Sequence, residues 1–89
     1  MGKVYVLVKV YPSSIDTNLD ELVEDIKKVL PKDIIVGSYV KEPIAFGLYA
    51  LKIAMIMPEN MEGGTTIIEE NVEKLPTVNQ VEVEYVTRI

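Results

Sequence analysis

Lys3-Val-Tyr-Val-Leu-Val-Lys-Val-Tyr11 decides how the rest of the chain is read. Val4, Val6, Val8 and Val10 fall on one side of an extended segment, and Tyr5 and Leu7 fall on the other. That is a two-residue period carried by β-branched and aromatic residues, the pattern of a strand. Apolar side chains on both faces place this strand inside a sheet rather than at its edge. Pro12-Ser13-Ser14 ends it.

Outward from this strand, Leu19, Leu22, Val23, Ile26, Val29 and Leu30 recur at helical spacing and form one apolar stripe. Asp16, Thr17 or Asn18 can cap the helix. Asp20 and Glu21 suit its first turn, Lys27 and Lys28 suit its last, and Pro31 stops it. A second strand is expected over Ile34–Lys41, with Gly37 marking a bulge or an edge. A third is expected over Leu48–Met57, where Leu51, Ile53, Met55 and Met57 alternate with Ala50, Lys52, Ala54 and Ile56. Glu42-Pro-Ile-Ala-Phe-Gly47 lies between them and is expected to form the hairpin turn.

Pro58 closes the third strand, and Glu62-Gly63-Gly64 opens a loop. Thr66-Ile-Ile-Glu69 fits a capping box, in which hydroxyl and carboxylate each satisfy the other's backbone donor. Ile68, Val72 and Leu75 give the second helix a narrow stripe, ended by Pro76. Val81, Val83 and Tyr85 alternate with Glu82 and Glu84 in a last strand. If the former face the helices, parity puts Arg88 on the opposite, open face with the two glutamates.

The order is βαββαβ. With right-handed crossovers it gives an α+β ferredoxin-like sandwich: a four-stranded antiparallel sheet in the order 4-1-3-2, with both helices on one face. One domain spanning residues 1–89 is expected, with Val6, Val8, Ile26, Ile53 and Val83 in its core.

Composition narrows the chemistry. The chain has neither cysteine nor histidine, which removes thiolate nucleophiles, the commonest general base and the commonest metal ligands. No covalent catalytic residue, metal site or cofactor is expected. A net charge of −5 argues against nucleic acid, whose binders carry a basic face. No apolar run approaches the ~20 residues of a membrane span, and no signal-peptide pattern opens the sequence. A soluble, cytoplasmic monomer is the expectation.

Fold alone leaves function open. A metal-chaperone version of this fold needs a cysteine pair where Pro12-Ser13-Ser14 stands. An RNA-recognition version needs aromatics and bases on the central strands, and Tyr5, Lys9 and Lys52 supply no Phe-x-Phe pattern. Gly63-Gly64-Thr65 precedes a helix but lacks the spacing and lysine of a phosphate-binding loop. Arg88 is the only arginine beside eight lysines, and it stands next to last. Phe46 is the only phenylalanine, and it either folds under the hairpin as core or meets a partner.

Glu42-Pro-Ile-Ala-Phe-Gly-Leu-Tyr-Ala-Leu-Lys-Ile53, followed by Gly63-Gly64-Thr65 at the second helix, resembles the elongation factor 1-beta/delta family of guanine-nucleotide exchange factors, its archaeal members in particular. The likeness covers essentially the whole chain. It implies exchange on elongation factor 1-alpha, the GTPase that delivers aminoacyl-tRNA to the ribosome. It also implies two contact regions: Phe46, flanked by Ile44 and Gly47, and Arg88 with Ile89. In the family a basic residue next to the C-terminus enters the partner's magnesium and phosphate site. Eukaryotic members commonly carry lysine there, whereas arginine brings a planar fork of donors. The reading from another class is a small-molecule-binding regulatory or oligomerisation domain of the same fold, with a structural adaptor third.

Overall fold

Strict alternation carries Lys3–Pro12 into strand β1, with Val6, Val8 and Val10 wholly buried on one side. A computed structural model describes residues 2–61 and 63–89. β1 is followed by helix α1 (Leu19–Val29), strands β2 (Ile35–Ala45) and β3 (Leu48–Pro58), helix α2 (Thr65–Glu73) and strand β4 (Val78–Arg88). The strands lie in the order β2-β3-β1-β4, and every pairing is antiparallel. This is the expected ferredoxin-like arrangement, with β1 and β3 central.

The helices cover one face. Leu22, Val23 and Ile26 of α1 and Ile68 and Val72 of α2 pack on Val6, Val8, Val10, Leu51, Ile53 and Met55 in one apolar cluster. Val83 is partly buried against that cluster rather than inside it. Of the three candidate caps, Asn18 takes the role: its Oδ1 accepts from the Asp20 and Glu21 backbone N–H groups at 3.0 and 3.2 Å. Such a cap contributes about 1 kcal/mol to a helix.

Three local expectations are corrected. β2 runs to Ala45, so Pro43 and Ile44 are strand and not turn. Proline is tolerated there because β2 is an edge strand and one row of its N–H groups has no ladder partner. The Thr66–Glu69 capping box does not form. Gly63 and Gly64, at φ 89° and 53°, turn the chain so early that Gly64 is the cap and Thr66 already lies within the first turn.

The third correction bears on function. β4 pairs Tyr85 with Leu7 but Val83 with Val8, so Glu84 is an extra residue in the ladder. A bulge of this kind reverses the side-chain parity beyond it. Val83 keeps the helix side, while Tyr85 turns to the open face and meets the Tyr5 ring edge-on, with centroids 6.3 Å apart. Val86 then falls opposite Val6 and Arg88 opposite Val4. Arg88 therefore stands on the helix side of the sheet, not on the open face with the glutamates.

Candidate functional site

At one end of the sheet, Ala45 pairs with Leu48 and leaves Phe46-Gly47 as a two-residue hairpin turn. Gly47 has φ 69°, in the left-handed region where a side chain is strained. Phe46 keeps a negative φ, as does every described non-glycine residue. A negative value followed by a positive one is the sign pattern of a type II turn. So short a turn leaves Phe46 no room to fold back, and its side chain is fully exposed at 104%. Ile44 sits at the irregularity between Pro43 and Ala45 and is only half-buried.

Beside the tip is a groove of about 380 Å³, walled by Pro12, Ile15, Leu48 and Tyr49 with Lys41 and Asp20 among its polar neighbours. Ile15 and Tyr49 are exposed apolar residues there, so the tip carries more apolar surface than Phe46 alone. The sequence reading did not single them out. Tyr49 sits on the helix-side row of β3 with Leu51, yet α1 begins only at Leu19 and leaves it uncovered.

The other end of the sheet holds the C-terminus. Val4 pairs with Arg88 and Lys3 with Pro58. The Ile89 N–H donates to the Lys3 carbonyl at 3.0 Å, so the last backbone amide is tied down. The Arg88 side chain remains 83% exposed, with Nε 3.8 Å from Glu59 Oε2. Ile89 is exposed as well. Leu48 to Pro58 spans the distance between the ends, roughly 33 Å for ten steps of ~3.3 Å. The long dimension of the molecule is 43 Å. Phe46 and Arg88 thus stand at opposite poles of the sheet. Phe46, Gly47 and half-buried Ile44 gather at one, and Arg88 and Ile89 at the other.

Between the poles, the open face carries a ladder of ion pairs with a member from each strand. Glu42 of β2 takes Lys9 of β1 on Oε1 at 3.1 Å and Lys52 of β3 on Oε2 at 3.3 Å. Lys52 also lies 3.3 Å from Glu84 of β4, the bulge residue. The hydrogen bond from Lys9, then that from Lys52, holds the Glu42 carboxyl below its ordinary range. The same bonds raise both lysines, with Glu42 the leading cause in each case. On the helix side, the Tyr39 hydroxyl donates to Asp20 at 2.8 Å and Lys41 lies 3.1 Å from its other oxygen, so Asp20 is also lowered. Among the described residues no three potential metal-ligating side chains cluster to hold an ion, and no helix is long and apolar enough to cross a membrane.

Residues 5–89 match the family described as the EF-1 guanine nucleotide exchange domain. The chain belongs to this family. It is 53% identical to elongation factor 1-beta of Hyperthermus butylicus, over 100% of this chain and 97% of that one. It is 51% identical to elongation factor 1-beta of Staphylothermus marinus, over 100% and 99% of the two chains. For the Ignicoccus hospitalis protein of the same name, identity is 48% over 100% and 95%. The C-terminal domain of the MgtC protein from Mycobacterium tuberculosis superposes with a TM-score of 0.59, covering 98% of this chain and 87% of that one. At 11% identity it is similar in fold alone.

Proposed function

We propose that this protein promotes release of GDP from elongation factor 1-alpha during translation elongation, acting as a monomeric exchange domain in the cytoplasm and making no covalent bond. The observation that carries the reading is the exchange-domain match over residues 5–89. Exposed Phe46 and Arg88 at opposite ends of one sheet support it.

In this reading Phe46 anchors the complex. An aromatic ring that is wholly exposed in the free protein gains most from burial against a partner, and Ile15 and Tyr49 broaden that contact. Arg88 acts at the far pole. Nucleotide is held by Mg²⁺ and by donors around its phosphates, so a guanidinium brought there repels the metal and competes for phosphate oxygens. Neither role needs histidine, cysteine, a metal or a cofactor. By linkage, a protein that weakens nucleotide binding is itself bound more weakly while nucleotide is present, so the nucleotide-free GTPase is its tightest partner.

The test is release of fluorescently labelled GDP from elongation factor 1-alpha. Substoichiometric protein should accelerate it, with a rate that saturates as the protein is increased. An unchanged rate at saturating protein would return the fold to a ligand-binding or oligomerisation role, detectable as ligand-dependent thermal stabilisation.

A further inference from the structure

The Arg88 pole contains a charge that the proposed exchange mechanism does not use. Glu59 follows directly on β3, while Arg88 ends β4, and β1 lies between those strands. For the two side chains to meet, one must cross the beginning of β1, and Gly2 is the residue crossed. The Glu59 backbone N–H donates to the Gly2 carbonyl at 3.2 Å, and the Glu59 carboxyl fills the place that a Cβ on Gly2 would take. A methyl group at Gly2 would come within 2.7 Å of Glu59 Cδ. Real Cβ atoms do not approach so closely. The carboxylate occupies the space that a side chain at Gly2 would enter, and from there Oε2 lies 3.8 Å from Arg88 Nε.

We propose that Glu59 is a positioning residue that restrains Arg88, an intramolecular counter-ion that holds the guanidinium over the start of β1 until a partner's anionic site displaces it. The inference rests on the assignment of Arg88 to the exchange reaction. Two effects act in the same direction. The contact draws the guanidinium back toward the sheet, and the carboxylate cancels much of the positive field that Arg88 would bring to a metal and phosphate site. Arg88 is 83% exposed and Glu59 36%, so the attraction is screened and reversible. It is a tether that phosphate oxygens can replace, since they offer the same guanidinium stronger paired acceptors.

The test measures labelled-GDP release from elongation factor 1-alpha against protein concentration, for wild type, Glu59→Gln, Arg88→Ala and the double variant. Glutamine keeps the shape of Glu59 and removes its charge. Glu59→Gln is expected to raise the plateau rate by about two- to fivefold, the range an exposed ion pair can supply. The half-saturating concentration should change less than the plateau. The gain should shrink as salt rises, and it should vanish in the Arg88→Ala background. A plateau that is unchanged or lower in Glu59→Gln, or a gain that survives without Arg88, overturns the inference while leaving the exchange function intact. If Arg88→Ala alone exchanges as wild type does, the Arg88 assignment falls and the role of Glu59 falls with it.

Discussion

Replacing Phe46 with alanine separates binding from folding, because the structure assigns the whole ring to solvent. At 104% exposure the side chain contributes no buried area to the free domain. Truncation should therefore change unfolding free energy by no more than about 0.5 kcal/mol, the range of surface substitutions. Ile53 supplies an internal reference. It is 0% exposed at the centre of the core, and Ile53→Ala should cost about 2–5 kcal/mol. Binding behaves oppositely. A phenylalanine buries about 150–250 Å² when fully covered, which at about 25 cal/mol per Å² sets a ceiling of roughly 4–6 kcal/mol. Incomplete coverage and ordering costs reduce that to about 2–4 kcal/mol for an interface anchor. The smaller figure corresponds to about thirtyfold in affinity. Urea unfolding followed by circular dichroism measures the first quantity, and the half-saturating concentration in GDP release measures the second. The reasoning is refuted if Phe46→Ala unfolds as early as Ile53→Ala, or if it exchanges with an unshifted midpoint.

Arg88→Ala should show the complementary pattern, a lower plateau rate with a midpoint within a few-fold of wild type, since the proposed mechanism has Arg88 act on metal and phosphate after docking. The ion pairs on the two faces of the sheet predict a pH response. The pKa of Glu42 is lowered by Lys9 and then Lys52, and that of Asp20 by Tyr39 and then Lys41. A carboxyl whose folded pKa lies below its unfolded value contributes stability above the unfolded pKa and loses it as pH falls through the folded one. Stability should thus decline on acidification below about pH 4–5, and Glu42→Gln should flatten part of that decline in pH-dependent urea midpoints. Lys9, Lys52 and Tyr39 are all raised. Their contribution is present below the unfolded pKa values and is lost only as pH climbs through the folded ones, above about pH 10. A decline already visible between about pH 6 and pH 9 would contradict this assignment.

The sheet order was legible because β1 and β3 alternate without interruption. Val4 to Val10 and Leu51 to Met57 each keep one parity, which fixes a face and a central place. What was not legible is the single-residue insertion. Val81-Glu-Val-Glu-Tyr85 looks like unbroken alternation, yet Glu84 is the bulge, and every side chain beyond it changes face. Nothing in a two-residue period announces an extra residue, so unbroken alternation puts Arg88 on the wrong side of the sheet. Its pole was still right, because pole depends on strand direction rather than parity. The hairpin shows a different limit. Pro43 reads as a turn residue, but an edge strand accepts it, and the turn contracts to Phe46-Gly47. Whether Phe46 is core or exposed depends on that contraction. The Thr66–Glu69 motif failed for a local reason: two left-handed glycines start the helix one residue too early for the hydroxyl to cap it.

The pairing at the end of β4 bears on how Arg88 could act at a defined place, as the proposed mechanism requires. A chain end ordinarily frays, and a guanidinium on a frayed end samples too many positions to act at one. Here β4 stays paired as far as Val4 opposite Arg88, and the Ile89 N–H closes the ladder on the Lys3 carbonyl at 3.0 Å. In the proposed mechanism the Ile89 amide would then serve to hold the Arg88 backbone in place, independently of the apolar side chain. Ile89→Pro tests the distinction, because it removes the amide donor and leaves Arg88 unchanged. The variant should lower the plateau of GDP release although Arg88 is present, and hydrogen exchange of the neighbouring β4 amides should quicken. Ile89→Ala, which keeps the donor, should exchange close to wild type. In the Arg88→Ala background the proline should add nothing further. If Ile89→Ala were as damaging as Ile89→Pro, the side chain would be the contact. The terminal hydrogen bond would then not be what fixes the guanidinium.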